Sequence, residues 1–373
     1  MIPAIRVTWT TSDRLCNGIR THAATLLVAV ALLLGAPLSV SADEKPIRIG
    51  VLALGPRAVP AWHCGSDEYR LASAAARPEA VPPAVLGLRD ELIRLKYVED
   101  RLENAGIPGR RFALDIRMGT LQDLRVYAKE FVRKRVDMIL AVATATVRIA
   151  QEETRDTPIP ILMSAVSDPV GEGFARSLAR PGGSITGVGH QMVQGSGKRV
   201  ELFKQLTPAL QRLITMRRPG YRPSEESMQD VRVVARELKM DLVDLEITSR
   251  EELQSALAKT SWYSGDGIMV LPDTFIISNV DLILETSLQH RVPAFGLQDY
   301  MADWGALAAY GPSPYQSGAH DALYVDKINK GAKPGDLAIE PIDPTFVVNL
   351  RAAKCHGISP SLEVLRQADR IIR

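Results

Sequence analysis

Short apolar runs alternate with amphipathic stretches from Ile47 to Tyr310, and that rhythm restricts the fold more than any other feature of the chain. Ile47–Ala53, Phe112–Ile116, Asp137–Val142, Ile159–Met163 and Ile185–Val188 read as strands. Between them Val85–Leu95 has helical spacing, and Leu124, Tyr127, Ala128, Phe131 and Val132 share one helix face, since apolar residues recurring at i, i+3, i+4 and i+7 mark such a face. Further helices are expected from about Thr146 and from about Gly171. The rhythm restarts after Gly195 with helix Lys198–Leu206, strand Leu213–Met216, a helix face through Met228, Val231, Val234, Ala235 and Leu238, and strand Leu242–Ile247. Ser249 and Glu252 then fit a capping box, in which each side chain satisfies a backbone N–H of the other. Strand Gly267–Leu271, a helix over Ser278–Gln289, and strands Val292–Phe295 and Ala306–Tyr310 complete the round. Such alternation with short connections means α/β architecture with parallel sheets, because a crossover helix returns the chain to start the next parallel strand. Two successive rounds predict two Rossmann-like, doubly wound lobes; a single (β/α)8 barrel is the alternative that length and alternation also allow.

The first 42 residues follow another logic. Arg14 and Arg20 precede the apolar run Ala23–Leu34, and Val40-Ser41-Ala42 puts small residues at a cleavage point. A basic segment, a short apolar run and an A-x-A-like site describe a secretory signal peptide. The run falls short of the roughly 20 residues that a membrane-spanning helix needs. Residues 1–42 are therefore expected to be removed, which places the mature protein in the periplasm; an uncleaved membrane anchor is the alternative. The remainder carries 42 basic and 42 acidic side chains with no long basic run, and this speaks against nucleic-acid binding. Cys64 and Cys355 would remain in an oxidising compartment, an even number that leaves a bond between them open. The histidines are scattered and neither cysteine has metal-ligand spacing, so no metal and no cofactor is expected. G-x-S-x-G, H-E-x-x-H and G-x-G-x-x-G are absent, and the chain is not read as an enzyme.

In open α/β sheets, ligands sit beyond the carboxyl ends of the strands. Ser167-Asp168-Pro169 follows the apolar run Ile159–Met163 at such an end. Ser and Asp are good N-caps for the helix expected from about Gly171, whose N-terminus would favour an anion. A plain Asp-Pro turn explains the same residues without any ligand.

The surrounding stretch Ser164–Gly189, SAVSDPVGEGFARSLARPGGSITGVG, closely resembles the hallmark of a group of bacterial ABC-transporter solute-binding proteins associated with tryptophan or tyrosine uptake. The likeness continues in Ser196–Pro208 (SGKRVELFKQLTP), Val270–Asp273, Ala309–Glu340 and Phe346–Asp369, and more loosely in Ile47–Leu52 and Val136–Val147. The resemblance implies a periplasmic-binding-protein type I clamshell, two lobes joined by three crossings near residues 187–190, 311–313 and 335. Lobe 1 would be 43–187 with 313–335, and lobe 2 188–312 with 336–373. It implies capture of a small ligand, amino-acid-like or another small anion, by hinge closure and its delivery to an ABC-transporter permease. The alternative is a sensor that presents the closed clamshell to a membrane receptor or kinase.

By position in the family pattern, the cleft-facing residues are Leu54, Gly55, Thr144, Ala145, Ser167 and Asp168 in lobe 1, and Asp273, Thr274, Gln298, Asp299 and Tyr310 in lobe 2. Hydroxyls and helix N-terminal N–H groups would hold a carboxylate, and Asp168 or Asp273 an ammonium. Thr144 equally fits a helix cap, Asp273 a turn and Tyr310 hinge packing. The chain departs from the family at Ile214–Pro223 (ITMRRPGYRP), where a Trp-Asn-Pro-like turn is usual. Arg217, Arg218 and Arg222 gather there, and Arg217 joins the candidates because a guanidinium reads carboxylate or phosphate through two hydrogen bonds; a solvated rim is the other reading. Longer segments at Trp62–Pro83 and Lys96–Arg111 border the same side, so the resemblance does not by itself imply an aromatic amino acid as the ligand.

Overall fold

The structure is a computed structural model that describes residues 45–54, 81–100, 109–190 and 192–373. The signal-peptide segment, Gly55, Cys64 and most of the 62–83 segment lie outside the described residues. In chain order the first elements are β1 (Ile47–Leu54), α1 (Pro83–Arg94), β2 (Val98–Glu99), β3 (Arg111–Gly119), α2 (Leu121–Lys134), β4 (Met138–Val142), α3 (Thr144–Glu153), β5 (Ile161–Val166) and β6 (Ile185–Gly189). The second round runs α4 (Ser196–Leu206), β7 (Arg212–Arg217), α5 (Arg222–Glu237), β8 (Asp241–Glu246), α6 (Arg250–Lys259), β9 (Asp266–Val270), α7 (Thr274–Ile277), α8 (Val280–Gln289), β10 (Ala294–Gly296), α9 (Asp299–Asp303) and β11 (Ala308–Pro312). Then come α10 (Pro314–Asn329), β12 (Glu340–Pro341), β13 (Pro344–Asn349), α11 (Leu350–Cys355), α12 (Leu362–Gln367) and β14 (Arg370–Ile372).

These strands form two separate seven-stranded sheets, β12-β6-β5-β4-β1-β3-β2 and β14-β13-β11-β10-β9-β7-β8. Only β11 with β13 is antiparallel; the other paired neighbours run parallel. Two open sheets replace the barrel alternative. The chain passes between them after Gly189, between Pro312 and Pro314, and between Pro341 and Pro344. Strand β12 thus keeps Glu340 and Pro341 in the first sheet, beyond the crossing expected near 335. The helix expected from about Gly171 is not formed: residues 169–174 make turns instead. Gly171 and Gly173 weaken any helix there, and Gly173 takes φ 73°, a left-handed value that closes the turn.

Both faces of each sheet are covered, and the sequence period shows it. In the first sheet Ile49, Val51, Met138, Leu140 and Leu162 pack with α1 and α10. Their neighbours Leu52, Ile139, Ala141, Ile161 and Met163 pack with α2 and α3 on the other face, the period-two alternation of a strand. Helix α2 starts with a complete capping box between Thr120 and Asp123. At α6 the expected box is shared differently: Ser249 caps the Glu252 N–H, while the Glu252 carboxylate reaches back to Thr248. Helix α10 returns from the second lobe and lies on α1 at two glycines; a Cβ on Gly318 would run into the Ala84 carbonyl, and one on Gly87 into the Tyr315 carbonyl. Cys355 is disulfide-bonded. No helix among the described residues is long and apolar enough to cross a membrane.

Asp321 is fully buried on α10, over β5 and β6. Ser164 stands beside it, yet neither side chain forms a hydrogen bond of ordinary geometry. Burial raises the Asp321 pKa well above the usual carboxylate range, with the Ser164 hydroxyl acting weakly in the opposite direction. The unfolded chain ionises near its ordinary pKa while the folded one keeps its proton. Stability is therefore fully present below the unfolded pKa and declines as pH rises toward the folded one. Asp321→Asn, which copies the neutral acid, should raise the unfolding free energy at pH 7 to 8 by about 1.4 kcal/mol for each pKa unit removed. Urea unfolding at pH 7.5 and pH 3.5 checks this: a gain confined to the higher pH is expected, and an equal loss at both would contradict it.

Candidate functional site

A cleft of about 500 Å³ opens between the two sheets. Gln122 and Arg125 of α2 line it from the first lobe, with Thr144, Ala145 and Arg148 of α3. Tyr221 and Thr274 line it from the second.

The first wall is set by how α3 begins. Strand β4 ends at Val142, and Ala143 turns the chain at φ 82°, with no side chain capping the helix. That left-handed value is unusual for a residue with a Cβ, and such backbone is held in place only by its surroundings. The N–H groups of Thr146 and Val147 bond back to the Ala143 carbonyl at 3.1 and 3.2 Å. Among the described residues those of Thr144 and Ala145 find no acceptor. A helix N-terminus with free N–H groups carries a partial positive charge and suits a carboxylate. Arg148 flanks it, held by a 2.6 Å ion pair to Glu172 and stacked 4.7 Å over Phe174. Arg125 is fixed by Glu152 and Glu153 at 2.7 and 2.9 Å.

The opposite wall depends on one buried carboxylate. Asp273 is 0% exposed. It accepts from Arg218 Nε and the Arg218 backbone N–H, both at 2.9 Å, and from the N–H groups of Phe275 and Ile276 at the start of α7. Arg218 passes this order on: Nη2 donates to Thr274 Oγ1 at 3.0 Å, and its guanidinium lies 4.6 Å over the Tyr221 ring. Burial raises the Tyr221 pKa, and a hydrogen bond with Thr274 lowers it less. Tyr221 thereby presents a fixed aromatic face at the mouth of the second lobe.

Of the residues expected from the sequence, Thr144, Ala145 and Thr274 line this cleft. Asp273 is a buried staple whose oxygens are spent on Arg218 and on α7, so it has none left for an ammonium. Arg217 is taken up by the edge strand, with ion pairs to Asp244 and Glu246 at 3.0 and 2.8 Å, and does not line the cleft. Asp168 makes a turn, accepting from the Gly171 N–H at 2.8 Å, and its other oxygen stands 3.7 Å from Arg222 of the second lobe. Ser167 is half-buried in the loop after β5, and Leu54 packs on the first lobe's core. Gln298 is buried ahead of α9, where Asp299 accepts the N–H of Tyr300. Tyr310 lines a second cavity, at the hinge. Tyr221 and Arg148 were not anticipated. Tyr221 belongs to the ITMRRPGYRP stretch, whose departure from the family pattern is its signal in the sequence.

The sequence pattern of the ABC transporter substrate binding protein family matches residues 98–372. The chain is 25% identical over 221 residues to the tyrosine-binding protein of Clostridioides difficile (strain R20291), a match that spans 59% of this chain and 63% of that protein. Its fold is similar to the ABC domain in complex with L-Trp from Streptococcus pneumonia, at 21% identity and a TM-score of 0.66, over 88% of this chain and 100% of that one. A conserved domain protein from Vibrio cholerae gives the same TM-score of 0.66 at 25% identity, again over 88% of this chain and 100% of that one.

Removing the buried carboxylate tests this wall. Asp273→Ala should cost about 3 kcal/mol or more, because it strands the Arg218 cation and uncaps α7. Denaturant unfolding would read the loss, and a change under about 0.5 kcal/mol would mean that Asp273 is not the staple.

Proposed function

This chain belongs to the ABC transporter substrate-binding protein family, and from that premise we propose that it captures an amino-acid-sized ligand in the cleft between its lobes and delivers it to an ABC permease outside the cytoplasm. The observation that carries the reading is the pairing of two unlike walls across the cleft: the uncapped start of α3 on one side, Tyr221 with Thr274 on the other. The N–H groups of Thr144 and Ala145 hold the ligand carboxylate. Tyr221 takes the flat or apolar part of the ligand, and Thr274 and Gln122 offer polar contacts. Because the two walls belong to different lobes, a ligand that touches both stabilises the closed form, and closure needs no other source of energy.

The tryptophan-bound and tyrosine-binding relatives make aromatic amino acids the first ligands to try. Catalysis is a poorer account of the same residues: Asp168 and Asp273, the carboxylates nearest to an acid–base pair, are engaged by a turn and by Arg218. The lobes that close are the two sheets with their helices, the second and third crossings lying at Ser313 and between Pro341 and Pro344. A periplasmic location accords with this function and with the N-terminal segment of the sequence.

Isothermal titration with L-tryptophan, L-tyrosine and the remaining amino acids tests the proposal. One ligand per chain is expected, with Tyr221→Ala weakening it about tenfold or more, equivalent to roughly 1.4 kcal/mol, while the melting temperature of the unliganded protein stays within a few degrees. Binding that ignores Tyr221→Ala would move the site elsewhere, and no binding to any amino acid would sink the ligand class.

A further inference from the structure

The second cavity measures about 240 Å³, and all three crossings wall it: Gln194 and Gly195 from the first, Tyr310 to Pro312 from the second, Pro341 to Pro344 from the third. Its charged wall is Arg199, in the first turn of α4 and only 1% exposed. The guanidinium donates to the Tyr310 carbonyl at 2.9 Å, Ser196 Oγ at 3.0 Å and the Met192 carbonyl at 2.5 Å. Every one of these acceptors is neutral, and they use three of the five N–H groups that an arginine carries. Buried charges are ordinarily paired, because an unpaired one loses its hydration without compensation. Burial accordingly pushes the Arg199 pKa down to about 9.

Arg199 is buried from bulk solvent but borders the cavity. Asp343, the one carboxylate among the lining residues, is exposed and forms no hydrogen bond or ion pair among the described residues. A Cβ at Gly195 would stand 3.3 Å from both Arg199 Nη2 and the Tyr310 ring, so a side chain at that position would crowd the cavity side of the guanidinium. Helix α4 also begins here without a side-chain cap, and the N–H groups of Gly197 and Lys198 find no acceptor among the described residues.

We infer that the hinge cavity is a second binding site, for a small oxyanion of the carboxylate or phosphate type, held by Arg199 and the start of α4. The volume is below the roughly 300–1,000 Å³ usual for larger ligands and takes a small anion with some of its water. Arg199 already joins the first crossing to the second through Met192 and Tyr310. An anion on its remaining N–H groups would meet the third crossing as well, so occupancy and lobe opening are linked, each biasing the other.

Inorganic phosphate is the probe, measured by isothermal titration at an ionic strength fixed with chloride, and acetate as a competitor separates a shared oxyanion site from one selective for phosphate. The expected result is one phosphate per chain, weakened about tenfold or more by Gly195→Ala, whose methyl meets Nη2 and the Tyr310 ring while the arginine stays in place. Arg199→Lys should weaken it similarly; where that variant fails to fold, Gly195→Ala decides. Arg148→Gln, in the other cavity, should leave phosphate binding unchanged. Absence of saturable binding into the tens of millimolar overturns the inference, as does binding lost with Arg148→Gln but kept with Gly195→Ala.

Discussion

A parallel sheet has two apolar faces, and neither can be left to water. The first lobe meets this requirement in an unequal way. Helices α2 and α3 cover one face from within the same stretch of chain, whereas the other is covered by α1 together with α10, which the chain makes only after β11 of the second lobe. The crossings follow from this. The chain must leave the second sheet at Pro312 to lay α10 down, and must then return to add β13 and β14. Ser313 caps α10 at the point of departure. Ser317, one turn later, gives its hydroxyl proton to the Ser313 carbonyl, so Nε2 of the buried His190, 2.6 Å away, must be the donor to Ser317 Oγ. Burial pushes the His190 pKa down to about 3, and the neutral ring ties the first crossing to the second.

The same economy governs the cleft. Most of its charged neighbours are spent on one another: Asp273 on Arg218, Glu172 on Arg148, Glu152 and Glu153 on Arg125. What faces the gap with unused hydrogen-bonding capacity is uncharged: the backbone at the strained start of α3 and the Gln122 side chain. Backbone N–H groups are fixed by the fold and lose no side-chain entropy when a ligand arrives. Side chains here serve mainly to hold surfaces in place, as Arg218 holds Tyr221.

The sequence made the fold legible because buried parallel strands are nearly continuous apolar runs; β4 and β5 stand where Asp137–Val142 and Ile159–Met163 predicted them, within a few residues. The helix at Gly171 failed because a short span bounded by Asp168-Pro169 and Pro181 satisfies its backbone more cheaply as turns. The cleft was half legible. Thr144 and Ala145 follow a strand end, a position that can be read directly, and Thr274 follows β9 in the same way. Arg217 could not be placed, because its partner Glu246 lies opposite on the neighbouring strand and only the β7–β8 register brings the two together. Asp273 looked like a ligand for the same reason: its partner Arg218 is 55 residues away in sequence.

The glycine contact between α1 and α10 also bears on how the chain is made. While it leaves the ribosome, the face formed by Ile49, Val51, Met138 and Leu140 has no complete cover until residue 329 is out. By then most of the second lobe has already been synthesised. The first lobe therefore cannot settle into its native state during translation ahead of the second, although amino-terminal domains generally fold first. A chain that delays closing its first core in this way commits both lobes to folding almost together, so a change at the α1–α10 contact is felt by the first sheet only after the second is nearly made.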